Sequence, residues 1–90
     1  PKLKPHVLTK LTAAVKNSYG LIPGKAKSMF HGQYQAPVKM ARFLVDCYEL
    51  LKPDFVLMDA VTCMEGEGPA NGSPFDLGVI FASADAVAVD

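Results

Sequence analysis

Pro37-Val-Lys-Met-Ala-Arg-Phe-Leu-Val-Asp-Cys-Tyr-Glu-Leu-Leu-Lys-Pro53-Asp-Phe-Val-Leu-Met-Asp-Ala-Val61 is the stretch whose reading decides the fold. Its first part carries apolar Val38, Ala41, Leu44, Val45, Tyr48 and Leu51 at three- and four-residue steps, the spacing of one helical face. Pro37 suits the first helical position, where a missing N–H costs nothing, and Pro53 ends the element. Asp54 to Val61 follows as a short apolar run after a Pro-Asp turn, the composition of a strand buried on both faces. A helix feeding such a strand predicts an α/β layer, a small sheet with flanking helices that fits within a larger α/β domain.

Working outward toward the C-terminus, Thr62 to Pro74 holds Gly66, Gly68 and Gly72 with Pro69 and Pro74, which predicts a loop. Leu77-Gly-Val-Ile-Phe-Ala82 then reads as a second apolar strand, with Ser83 placed to cap a helix beginning at Ala84. Toward the N-terminus, Leu21 to Ala36 is broken by Pro23, Gly24 and Gly32 and reads as a long loop, of the kind that is usually functional. Leu8, Leu11, Ala14 and Val15 predict a helix from Thr9 or Thr12 to Asn17 or Ser18, with Gly20 as its stop. Pro1 to His6 reads as extended, sending Lys2, Lys4 and His6 to one face.

Ninety residues of ordinary globular composition make one α/β domain over residues 1–90 with no internal boundary. The core of such a chain is thin, because small domains bury a smaller share of their surface. A start at Pro1 without an initiator Met, and a stop at Asp90 inside an apolar run, give the expectation of a fragment of a longer protein. No apolar run approaches the roughly 20 residues that span a bilayer, and no signal-peptide core is present, so no membrane partner is expected. Cys47 and Cys63 stand 16 positions apart outside any CxxC arrangement, so this stretch alone builds no iron–sulfur cluster, and both read as structural thiols.

Formal neutrality hides a divided charge. Residues 1–45 carry Lys2, Lys4, Lys10, Lys16, Lys25, Lys27, Lys39 and Arg42 and no acid, whereas residues 46–90 carry nine acids against Lys52 alone. The two halves either face each other or present separate surfaces to an anion and to a basic partner. Nucleic acid is not the expected ligand, since the basic half has a single Arg and no recognition motif and the acidic half repels a phosphate backbone.

Chemistry is expected at two places. Lys2, Lys4 and Lys16 near His6, together with His31 near Lys25 and Lys27, supply donors for a small anion. Beyond the carboxyl ends of the strands, where open α/β sheets bind ligands, lie Asp59, Glu65, Glu67 and Asp85. Four such carboxylates suit a hard divalent cation, and Gly66 and Gly68 let a backbone approach a ligand. A polar ligand loop without metal fits the same residues, and so does plain turn chemistry with solvated acids, the commoner case. Gly66-Glu-Gly68-Pro-Ala-Asn-Gly72 lacks the Lys-Ser/Thr of a nucleotide phosphate loop, and no nucleophile is assigned.

The run Pro1-Lys-Leu-Lys-Pro-His6, then Lys16-Asn17 with Gly20-Leu-Ile-Pro23-Gly24, His31, Lys52-Pro53, Asp59, Met64-Glu-Gly-Glu-Gly-Pro69, Gly72 and Ser83-Ala-Asp85 through Asp90 resembles the family catalogued as domain of unknown function 362. The resemblance runs the whole length of the chain. It implies an α/β protein about three times this long, cytoplasmic and bacterial or archaeal, many members carrying cysteine-held ferredoxin-type clusters in a separate segment. It falls on Lys4, His6, Lys16, Asn17, His31, Asp59, Glu65, Gly66, Gly68, Pro69, Asp85 and Asp90, and so adds Asn17 to the basic set. It implies no substrate.

Two functions therefore stand as expectations. In the first, a basic cleft of Lys4, His6, Lys16, Asn17 and His31 with the Glu65-Gly66-Glu67-Gly68 loop binds a small anion, with a divalent cation on the acidic set and an iron–sulfur cluster elsewhere in the parent chain. In the second, the chain is a non-catalytic docking module for a redox partner or another subunit, and exposed strand edges lead it to self-associate.

Overall fold

The computed structural model describes all ninety residues, Pro1–Asp90. The chain runs β1 (Lys4–His6), β2 (Lys10–Thr12), α1 (Ala14–Asn17), a 3-10 turn (Ser18–Leu21), α2 (Gly24–Gln33), α3 (Pro37–Leu51), β3 (Val56–Glu67), β4 (Asn71–Ser83) and α4 (Ala86–Val89). This is a small α/β fold with two antiparallel hairpins, β1–β2 and β3–β4. No helix is long and apolar enough to cross a membrane.

The predicted helix at Pro37 forms as α3, with Pro37 at its first turn and Lys52 closing it in the left-handed region at φ 35°. Its buried stripe is Met40, Leu44 and Cys47, whereas Val38 and Val45 stay half or more exposed. The helix has more apolar faces than the chain covers.

The strand after it differs from expectation. Along β3, Val56, Met58 and Ala60 are buried while Leu57, Asp59 and Val61 face outward, so one face is covered and not two. Residues 62–74, expected as a loop, continue both strands to a tight tip instead. Gly66 and Gly72 pair directly across the hairpin, and Pro74 stands opposite Met64 on the edge strand, where a missing N–H breaks no ladder. Gly66 takes φ +79°, and a Cβ on Gly72 would fall 2.5 Å from the Met64 side chain, so the glycines build the hairpin.

Two further elements also depart from the sequence reading. The expected helix from Thr9 or Thr12 begins only at Ala14, because Lys10 enters the left-handed region at φ 66° and folds Lys4–Thr12 into a hairpin. The expected loop at 21–36 contains α2, since Gly24 and Gly32 fall at the helix ends, where they cost little. Phe30 and Tyr34 of this region pack on Phe43 of α3, with ring centroids 4.9 and 4.6 Å apart. That aromatic contact fixes α2 where propensity alone is weak.

Twelve of the ninety residues are buried, in line with the thin core expected of this length. Six of them gather in two clusters, Ala14–Val56–Ala86 and Tyr19–Met40–Leu44. The chain ends are tied in by polar contacts. The N-terminal segment lies alongside β3, with Asp59 N–H donating to Pro1 O at 2.9 Å and Lys2 Nζ 2.8 Å from the Asp59 carboxylate. The Asp90 carboxylate accepts the N–H groups of Ala14 and Val15, capping α1 from 75 residues away.

Candidate functional site

Folding β1 back on β2 carries Lys4 toward the end of α1, which presents Lys16 and Asn17. Helix α2, held by Phe30 and Tyr34, brings Lys27 and His31 to the same place, one turn apart on one helical face. The result is a cavity of about 290 Å³ lined by Lys4, Thr12, Lys16, Asn17, Tyr19, Gly20, Lys27 and His31. No carboxylate lines it. The ion pairs of the chain, Lys2–Asp59 and Lys52–Glu49, leave these three lysines without a counter-charge.

His6 borders this cavity, its ring 5.9 Å from that of His31. The Thr9 N–H donates to His6 Nδ1 at 3.2 Å, which leaves Nε2 to carry the proton in the neutral ring. Burial, then the charges of Lys16, His31 and Lys4, lower the His6 pKa from 6.5 to about 4. Lys16 is also pulled below the usual lysine value, by burial first and then by Lys4 and Lys27. Tyr19 forms the aromatic wall. Its hydroxyl donates to Lys27 O, and the Lys27 ammonium sits 5.6 Å from its ring centroid.

A pH dependence follows. His6 binds its proton more weakly folded than unfolded, so its contribution is fully present above pH 6.5 and is lost as pH falls through about 4. The ring is partly exposed, so solvent screening discounts the loss to about 1–2 kcal/mol. His6→Asn keeps an acceptor for the Thr9 N–H and cannot titrate. Urea melts at pH 7 and pH 4.5 should show that acid-induced loss in the native protein and a smaller one in His6→Asn; equal losses would remove His6 as the cause.

The expected basic set of Lys4, His6, Lys16, Asn17 and His31 is thus brought together. Sequence reasoning did not place Thr12, Tyr19 or Gly20 in the site, and it took Lys27 only as a neighbour of His31 along the chain. Lys27 was legible in principle, because it stands four residues before His31, but only once residues 24–33 are read as a helix.

The acidic set is dispersed. The two long strands are antiparallel, so their carboxyl ends lie at opposite ends of the hairpin. Asp59 is held by Lys2 Nζ and the Val61 N–H, which lower its pKa. Asp85 caps α4 by accepting from Val87 and Ala88 N–H at 2.8 and 3.2 Å. Ser83, expected as that cap, instead accepts the Asp85 N–H. Glu65, Gly66, Glu67 and Gly68 form the end of the β3–β4 hairpin and do not line the basic cavity, with Gly68 against the Pro5 ring.

Nowhere do three His, Cys, Asp or Glu side chains gather into a metal-holding group. Cys47 and Cys63 are free and buried on α3 and β3, and two thiols do not fit the four-cysteine set of a ferredoxin-type cluster. Burial raises the Cys47 pKa, with Asp46 adding to it, so this thiol is not activated.

Comparison with known proteins agrees with the resemblance. The chain is 35% identical over 91 residues to Thylakoid-associated protein sll1697 of Synechocystis sp., an alignment that takes in 100% of the chain and 28% of that relative. The chain therefore spans 28% of the length of this curated relative. No solved structure matches. The family described as Domain of unknown function (DUF362) matches over residues 1–90, from the Lys4 strand to the Asp90 cap, and the chain belongs to that family.

Proposed function

We propose that this chain is the small-anion-binding part of an α/β protein, with Lys4, Lys16, Asn17, Lys27 and His31 as the ligand-facing donors and His6 as a neutral donor beside them. One observation carries the reading: three lysines and a histidine face one cavity of about 290 Å³ in which no acid answers them. An uncompensated cluster of cations is costly, and an anion removes that cost on binding. Iron–sulfur chemistry, if the full-length protein performs it, belongs to residues beyond these ninety, and we place the protein in the cytoplasm.

The test is thermal unfolding of the full-length protein in chloride, sulfate and phosphate at matched ionic strength. Sulfate and phosphate are expected to raise Tm with the logarithm of their concentration once it exceeds Kd, the stabilisation reaching about 2.7 kcal/mol at a hundredfold excess. Identical melting in all three salts sinks the proposal.

A second reading is favoured by the uncovered faces of the fold. Leu57 and Ile80, diagonal neighbours on the bare side of the β3–β4 hairpin, are 59% and 61% exposed. A docking module for a redox partner or a second copy would cover them. It predicts self-association or partner binding that small anions leave untouched.

A further inference from the structure

The basic cavity is not closed. Asn17 and Gly20 also line a second, larger cavity of about 440 Å³, which continues past them between the 3-10 turn and the start of β3. Gly20 carries no side chain to divide the two, and no atom lies within 4 Å of where its Cβ would stand. The second cavity has a different character. Leu21, Pro53, Phe55 and Leu57 form much of its wall, and no charged side chain does. Leu21 and Phe55 are 73% and 61% exposed there, a pair of large apolar groups left in water beside a charged site.

We infer that the site takes a phosphate monoester with an apolar body, its headgroup among Lys4, Lys16, Lys27 and His31 and its hydrocarbon part laid past Gly20 onto Leu21 and Phe55. This inference rests on the anion-site reading above and names its ligand class. The headgroup follows from the donors. Three ammonium groups and an imidazole exceed what a two-oxygen monoanion can satisfy, whereas a phosphate monoester offers close to two charges and three terminal oxygens. The apolar body follows from continuity, since Asn17 and Gly20 line both cavities and Gly20 has no side chain at their junction. Phosphate specifies the head and the Leu21–Phe55 wall specifies the tail.

The test uses the full-length protein and calorimetric titration with inorganic phosphate, then methyl, butyl and hexyl phosphate. Affinity is expected to rise about two- to fourfold per added methylene as the chain is buried. Leu21→Ser and Phe55→Ser are surface substitutions of small stability cost. Each should flatten that rise while leaving the affinity for inorganic phosphate unchanged. Binding of inorganic phosphate with no gain along the series overturns the inference and leaves the anion site standing. No binding of any phosphate overturns both. Sedimentation with vesicles, with and without phosphatidic acid, separates a free ester from a lipid headgroup. Binding to the phosphatidic acid vesicles without a chain-length gain in solution would mean that only the headgroup is read, and would overturn the apolar subsite.

Discussion

Lys16→Met is expected to raise the melting temperature of the unliganded protein and, at the same time, to weaken sulfate binding about ten- to hundredfold. The two effects share one cause. Lys16 is part-buried on α1 beside Lys4 and Lys27, and both its burial and those charges disfavour the ammonium, which is why its pKa is lowered. A neutral side chain of similar length fills the same space and removes the repulsion, so the empty site becomes more stable. The same replacement deletes a charge-assisted donor to the anion, which is worth about 1.5–3 kcal/mol. Lys16→Arg should keep most of the affinity, because it keeps the charge. A lysine with only a packing role would give the opposite pattern, a lower Tm and unchanged sulfate affinity, so calorimetric titration and thermal melts of the three proteins decide the matter. Opposed signs of this kind are common where a site is built against the stability of its own scaffold.

The sequence was legible where a local pattern and the tertiary structure demand the same thing. Helix α3 was readable because Pro37, the three- and four-residue apolar steps and Lys52-Pro53 agree on its bounds. Its buried face was less so: Val38 and Val45 belong to the same pattern as Leu44, yet they are exposed here. Hydrophobic pattern reports every face that needs cover, and not which of them these ninety residues cover. The β3–β4 hairpin shows the converse. Gly66, Gly68, Gly72 and the prolines are turn residues by composition, but their meaning depends on register, since Gly66 faces Gly72 and Pro74 lies on an edge. Register is a non-local property, and nothing within 62–74 announces it. An assumed open sheet then put Asp59, Glu65, Glu67 and Asp85 at one end, whereas the antiparallel pairing separates them. Lys4, Lys16 and His31 nonetheless meet around one cavity, because their grouping rested on local charge without acids nearby and not on strand order. The alignment of Lys27 with His31 on one helical face was lost with α2, whose helix depends on the contact of Phe30 and Tyr34 with Phe43 and not on propensity.

Met40→Ala is expected to cost about 2–5 kcal/mol of folding stability. Met40 is 1% exposed and packs with Tyr19 and Leu44, so the truncation leaves a void that the surrounding rings cannot readily fill. A ninety-residue domain has only about 5–13 kcal/mol in total, so the midpoint should fall by at least about 10 °C. Met40→Leu, nearly volume-conserving, should lose less than about 1.5 kcal/mol. The consequence for the site separates this residue from an ordinary core position. Tyr19, which Met40 supports from behind, is the aromatic wall of the basic cavity and donates its hydroxyl to Lys27 O. Loosening that wall frees Lys27 and His31 to move apart, so sulfate should bind more weakly and restore less stability to Met40→Ala than to the native protein. Met58→Ala is the control. Met58 is 2% exposed under the β3–β4 hairpin, and it does not line the cavity. Its loss of stability should be comparable, but sulfate should rescue it in full, because mass action depends only on Kd in the folded state. Equal rescue of the two variants would show that the cavity does not depend on the Tyr19–Met40–Leu44 cluster, and would shift the support of the site to β1 and α1.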